Sequence, residues 1–261
     1  MVSIGIFDSG LGGLTILKEI KRLLPYASTI YIGDTARTPY GAYSPDILKA
    51  YGCELVDFLL DRHVDIIVAA CGTISSNAID FLRETYPDIT IIDIIKPAAM
   101  YLNKYFNPNT RLGLIATEAT INSGVFAKTI KKHNPDMTII SKACPLFVPF
   151  IENDCINDKK VITAAREYLD DMSDNIDALL LGCTHYPILI NIIKDIISVP
   201  IINPGIAIAE YTKICRGGIL SAEYAAHKVY VTKDPKGFKK RALELLDMKL
   251  IPIEGGLNAN R

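Results

Sequence analysis

Short aliphatic and β-branched runs alternate along the chain with longer stretches whose apolar residues recur near helical period. Residues 2–7, 29–32, 65–70 and 90–94 have the first pattern, and each has the length of a buried strand. Residues 14–24, 45–60 and 75–85 have the second and predict helices. Strand and helix in alternation predict parallel sheet with crossover helices, an α/β fold.

The pattern then restarts. Gly5-Ile6-Phe7-Asp8-Ser9 is matched 108 residues later by Gly113-Leu114-Ile115-Ala116-Thr117, and Thr29-Ile30 is matched 109 later by Thr138-Ile139. Asp65 and Cys71 are matched 112 later by Asp177 and Cys183, and Ile91-Ile92-Asp93 is matched 110 later by Ile201-Ile202-Asn203. Four landmarks in order, at nearly one spacing, predict two pseudo-symmetric α/β domains with mainly parallel sheets and an active-site cleft between them. The first would comprise residues 1–95 and the second residues 96–206. Residues 207–261 offer a helix over 207–215, a strand over 228–232 and a helix over 236–246. That is too little for a third domain, and the segment is expected to pack back on the first.

Composition narrows the function. The 261 residues are 49% hydrophobic and 22% charged, with a formal net charge of −1, which suggests neither nucleic acid nor an anionic membrane as partner. No apolar run approaches the ~20 residues of a membrane span. The first nine residues include Asp8 and lack a basic stretch, so a cytoplasmic protein is expected. Six cysteines stand at 53, 71, 144, 155, 183 and 215, none in a Cys-x-x-Cys pair, so zinc or another metal is not expected. Cys53, within an amphipathic helix, is expected to be core filler, and Cys144, Cys155 and Cys215 to be structural or incidental.

Ligands in open parallel sheets sit at the carboxyl ends of strands. Asp8-Ser9, Cys71-Gly72-Thr73, Thr117 with Thr120, and Cys183-Thr184-His185 all fall there. Two thiols at matched positions of a repeat, facing across a cleft, suit inversion of a carbon centre: one removes a proton and the other returns one to the opposite face. Burial as core sulfur is the competing reading for both. A free thiol of pKa about 8.5 is only a few per cent ionised at pH 7, and lowering it to about 7 raises that roughly tenfold. Both cysteines precede an expected helix, whose positive end favours thiolate. Asp8 leads into Gly10-Leu11-Gly12-Gly13, which fits neither Gly-x-Gly-x-x-Gly nor a Walker loop. A carboxylate there attracts an ammonium group and repels phosphate; a helix N-cap turn competes equally on spacing. His185, two residues after Cys183, is expected to be a proton donor or thiol partner, with plain packing as the alternative.

With these residues assembled, the sequence resembles the glutamate racemases of the aspartate/glutamate racemase superfamily. The resemblance lies in Gly5-Ile6-Phe7-Asp8-Ser9-Gly10-Leu11-Gly12-Gly13-Leu14-Thr15, in Gly33-Asp34-Thr35-Ala36-Arg37-Thr38-Pro39-Tyr40-Gly41, and in Leu180-Leu181-Gly182-Cys183-Thr184-His185-Tyr186-Pro187. Ala116-Thr117-Glu118-Ala119-Thr120 and Phe150-Ile151-Glu152 also match. The resemblance implies cofactor-independent interconversion of L- and D-glutamate, Cys71 deprotonating D-glutamate and Cys183 L-glutamate. It implies Asp8 and Ser9 beside Cys71, with Asp8 near the amino group, and Pro39, Tyr40 and Gly41 lining the cleft. It implies hydroxyls or N–H groups of Thr73, Thr117, Thr120 and Thr184 for the carboxylates, with His185 and Glu152 assisting Cys183. It further implies D-glutamate supply for peptidoglycan and a homodimer.

Three positions depart from the family pattern. Cys71-Gly72-Thr73 stands where Cys-Asn-Thr is usual, Lys96 where an acidic residue is common, and Asn203-Pro204-Gly205 in place of an Asp-Ser-Gly type turn. The missing amide at Gly72 keeps open a catalytically weakened amino-acid-binding paralogue. A racemase for another acidic amino acid such as aspartate is the other alternative, and the Pro39-Tyr40-Gly41 motif argues against it.

Overall fold

A computed structural model describes residues 3–215 and 225–257. Strands β1 (Ser3–Asp8), β2 (Ser28–Gly33), β3 (Ile66–Ala69) and β4 (Thr90–Ile92) precede β5 (Arg111–Ala116), β6 (Thr138–Ala143), β7 (Ala178–Leu181) and β8 (Ile201–Ile202). The last two strands are β9 (His227–Val231) and β10 (Pro252–Glu254). Helices α1 (Gly13–Leu23), α2 (Pro45–Leu60), α3 (Gly72–Asn77), α4 (Ile79–Thr85) and α5 (Ile95–Tyr105) lie among the first strands. Among the next four lie α6 (Glu118–Asn122), α7 (Val125–His133), α8 (Phe147–Glu152), α9 (Lys159–Ser173) and α10 (Ile190–Lys194). Helix α11 (Pro204–Cys215) follows β8, and α12 (Pro235–Leu246) joins β9 to β10.

Two all-parallel sheets result, ordered β10-β9-β2-β1-β3-β4 and β6-β5-β7-β8. The order β2-β1-β3-β4 recurs as β6-β5-β7-β8, so the repeat read from sequence is a repeat of topology. It extends to register and to single hydrogen bonds. Gly5 pairs with Ile30 and Ile67 as Gly113 pairs with Ile140 and Leu179. Ser3 N–H donates to the Asp65 carboxylate while Asp65 N–H donates to Ser3 O; Arg111 and Asp177 repeat both bonds. Strands β9 and β10, from the C-terminal segment, extend the first sheet along β2. One apolar cluster runs through both sheets, from Ile4 and Val68 to Leu114 and Leu180, and a smaller one fills the α2 face of the first sheet around Phe7, Leu55 and Ile67.

The sequence expectation needs correction at three places. The predicted helix over 75–85 is two helices, broken at Ala78, whose φ of −135° is not helical. Ser76 Oγ and Asn77 Nδ2 bond back to the carbonyls of Gly72 and Thr73, the local competition that disfavours Ser and Asn inside helices. The helix expected after Cys183 is a single 3-10 turn, Tyr186–Leu189, followed by the short α10. Strand β10, Pro252-Ile253-Glu254, carries no alternation signal in the sequence. Val2, the expected first residue of β1, lies outside the described residues.

Leu180 is fully buried at the centre of β7, whereas Ile162 on α9 is 48% exposed. Leu180→Ala is therefore expected to lower unfolding free energy by about 2–5 kcal/mol, and Ile162→Ala by no more than about 0.5 kcal/mol, in denaturant titrations.

Candidate active site

The carboxyl ends of β1, β3, β5 and β7 converge on one cavity of about 290 Å³. Cys71 enters it from the end of β3 and Cys183 from the end of β7, the equivalent strand of the repeat. Each thiol is 5% exposed. Ser9, Pro39, Tyr40, Gly41, Gly72 and Thr73 line the cavity from the first half, and Thr117, Thr120, Thr184 and His185 from the second. Asp8 and Glu152 do not line it; both stand behind it as buried partners of groups that do.

Glu152 lies at the end of α8 and its Oε1 accepts from the Leu11 N–H at 2.8 Å. The same oxygen lies 2.6 Å from Nε2 of His185. On the other edge of the ring, Nδ1 is 3.9 Å from Cys183 Sγ. Glu152, His185 and Cys183 thus form a line from carboxylate through imidazole to sulfur, the arrangement by which a base orients and activates a thiol. Burial disfavours the charged ring, but Cys183 and Glu152 together outweigh it and hold the His185 pKa well above the ordinary value. Burial likewise pushes Glu152 up, and His185 and the Leu11 N–H pull it below its ordinary range. With Nε2 protonated toward Glu152, the Gly12 N–H, 3.3 Å away, is a close approach rather than a donor. That approach requires glycine: a Cβ on Gly12 would stand 2.3 Å from Nδ1 and 2.6 Å from Thr184 Oγ1.

Asp8 is fully buried, its Oδ1 accepting from Gly10 N–H and its Oδ2 from Thr184 Oγ1 at 3.1 Å. Burial raises its pKa, against the pull of His185 and of the Gly10 and Gly13 N–H groups. Cys71 caps the N-terminus of α3, yet its thiol is pushed up to about 12, by burial first and then by Asp8, with Thr73 and Ile74 N–H groups opposing. The expected lowering by a helix end is therefore outweighed here, because a six-residue helix cannot offset full desolvation beside a carboxylate. The charge of Cys183 is also felt at Cys71, which places the sulfurs in one electrostatic environment.

The loop of residues 33–41 is held by Asp34, buried, which accepts from Arg37 Nε, the Tyr40 hydroxyl and Thr232 Oγ1. The Thr38–Pro39 peptide is cis. Across the cavity, Thr73 Oγ1 lies 3.2 Å from Thr117 Oγ1, which lies 2.8 Å from Thr120 Oγ1. Among the described residues, no Lys or Arg lines the cavity and no cluster of three His, Cys, Asp or Glu could hold a metal ion. No helix among them is long and apolar enough to cross a membrane.

Sequence reasoning missed Ala42, Glu118, Pro145, Val148 and Pro149, which also line the cavity. Glu118 sits between Thr117 and Thr120 in the same motif, and Val148 and Pro149 precede Glu152 by four and three residues, one helical face. Pro145 and Ala42 carried no local signal.

A sequence profile of the Asp/Glu/Hydantoin racemase family matches residues 11–212. The chain is 40% identical over 255 residues to a glutamate racemase of Geobacter metallireducens, covering 95% of this chain and 94% of that one. Its structure is similar to that of glutamate racemase from Francisella tularensis in complex with D-glutamate, with TM-score 0.88, 35% identity and 99% of each chain covered. It is also similar to a glutamate racemase isoform from Bacillus anthracis, with TM-score 0.91, 31% identity and 99% of each chain covered.

The Glu152–His185 pair makes its own stability window. The raised His185 contributes stability fully below the ordinary imidazole pKa, lost as pH rises through the raised one. The lowered Glu152 contributes above the ordinary carboxylate pKa, lost as pH falls through the lowered one. Glu152→Gln is expected to melt below the wild type at pH 5–6, with the difference shrinking as pH climbs through the His185 titration; a constant difference would remove the ion pair from the account.

Proposed function

The chain belongs to the Asp/Glu/hydantoin racemase family, and from that membership we propose that it interconverts L- and D-glutamate between two thiols without a cofactor. The observation carrying this reading is that Cys71 and Cys183, at equivalent ends of repeated strands, line one cavity from separate halves of the molecule.

In the direction from L-glutamate, Cys183 as thiolate takes the α-proton, and Cys71 as thiol gives one to the opposite face. The thiol and thiolate have then exchanged states, and D-glutamate is the substrate of that second form. His185, held by Glu152, accepts the Cys183 proton when the thiolate forms and stabilises it as an imidazolium. Among the described residues Cys71 has no such imidazole partner, and its thiol, held up to about 12, suits the proton donor. Its conjugate base, formed at the end of that turnover, takes the α-proton of D-glutamate in the reverse direction. Asp8, buried behind the cavity wall and bonded to Thr184, supplies a negative charge that a substrate ammonium in the cavity would feel without touching it. The hydroxyls of Ser9, Thr73, Thr117, Thr120 and Thr184, with N–H groups of Gly41 and Gly72, serve the two carboxylates. Such neutral donors, fixed in place before the substrate arrives, act at short range and without reorganisation.

Residues 1–95 with 207–261, and 96–206, are the two units of this reading; the shared sheet of β1 to β4 with β9 and β10 supports that division. The same reading places the chain in the cytoplasm as a homodimer, supplying D-glutamate for peptidoglycan. Aspartate is one methylene shorter than glutamate, a difference worth ten- to about 200-fold in selectivity.

Cys71→Ser and Cys183→Ser are each expected to lose more than about 99% of racemisation, while Cys53→Ser stays near wild type. The assay incubates the chain with L-glutamate in deuterated water, without added cofactor, and follows optical rotation and α-deuteration. Equal losses in all three variants would mean the bases are misassigned, and glutamate binding without any α-exchange would indicate a binding paralogue.

A further inference from the structure

Gly72 stands where the family pattern has asparagine, and the sequence suggests a lost amide donor. The structure offers a different account. A Cβ built on Gly72 would lie 2.6 Å from the carbonyl oxygen of Gly182 and 3.3 Å from Ile94 Cδ1. Gly72 follows Cys71 and Gly182 precedes Cys183, so the two loops carrying the thiols touch through these glycines, backbone against backbone.

Neither loop can retreat cheaply. Gly182 N–H donates to Ile115 O at 2.7 Å, and a Cβ on Gly182 would itself meet Ala116 and Ile115 at 3.0 Å. On the other side, Ser76 Oγ donates to Gly72 O at 2.7 Å and Ser75 N–H donates to Cys71 O at 2.9 Å. A side chain at 72 must move from 2.6 Å to the ordinary contact of at least 3.4 Å, and the partner is backbone rather than a rotatable tip. The strain therefore passes into the separation of the loops, and so of the sulfurs.

We propose that Gly72 is a positioning residue whose missing side chain sets the distance between the Cys71 and Cys183 thiols. The proposal rests on the two-thiol reading above. Two-sided proton transfer is sensitive to this distance, because the α-carbon must sit within reach of both sulfurs at once. A misplacement approaching 1 Å costs up to about a hundredfold in rate. A widened site still lets one thiol remove the proton, but the opposite thiol quenches the carbanion late. The intermediate then persists, the first thiol exchanges its proton for solvent deuterium, and reprotonation occurs on the original face.

The test measures Gly72→Ala and Gly72→Asn in the full chain, in both directions, by optical rotation and by NMR in deuterated water. Expected is a fall in kcat of about ten- to a hundredfold in both variants, with KM within about threefold. Deuterium should also enter the unreacted enantiomer, at a higher ratio to inversion than in wild type. Gly72→Asn should be no better than Gly72→Ala. Wild-type turnover in either variant, or a gain in kcat/KM from Gly72→Asn, overturns the proposal, the gain favouring the lost amide. Should thermal melts show both variants misfolded, a crystal structure of the wild-type chain with D-glutamate decides. Continued contact of Gly72 with Gly182 O supports the proposal, and room for a methyl group there overturns it. Failure of the underlying reading looks different: Cys71→Ser would then still racemise glutamate.

Discussion

Everything in the site depends on a buried ion pair seated on a glycine-rich loop. Glu152 and His185 come from the second half of the chain, and the Leu11 and Gly12 backbone on which they rest comes from the first. Asp8, Glu152 and His185 are withdrawn from water together, which is tolerable only because each finds a compensating charge or N–H group. Thr184 reinforces the seam: its hydroxyl donates to Asp8 and its carbonyl accepts from Thr15 Oγ1 at 2.9 Å. The contact that joins the halves is thus the same one that orients the imidazole beside Cys183.

This coupling makes the two sides of the repeat chemically unequal. Strand order, register and the Asp65 and Asp177 bonds are duplicated. The groups facing the sulfurs are not: Cys183 has an imidazole at 3.9 Å, while Cys71 has a nearby carboxylate and two N–H groups. A duplicated scaffold supplies two thiols in equivalent places, and divergent neighbours give each different surroundings.

Much of the scaffold was legible in the sequence because it depends on local period and on repetition. The runs at residues 29–32 and 65–70, the spacing from Asp65 to Asp177, and the strand-end cysteines all survive in the structure. What was not legible depends on contacts between distant segments. The break at Ala78 reflects side chains returning to their own carbonyls, and the cavity walls at Val148 and Pro149 became visible only once α8 was placed. The high proton affinity of Cys71 follows from burial beside Asp8, which no spacing reveals. The place of Asp8 behind the cavity rather than at its mouth has the same origin, since Gly10 and Thr184 claim both oxygens.

The three threonine hydroxyls of Thr73, Thr117 and Thr120 run across the cavity wall, 3.2 Å and 2.8 Å apart. A hydroxyl both donates and accepts, and its hydrogen swings freely about the C–O bond. A wall of such rotors has no fixed polarity, unlike a guanidinium fork, whose planar geometry demands one approach. Under the proposed function, mirror-image guests would each be met by turning three hydrogens, with neither hand trapped.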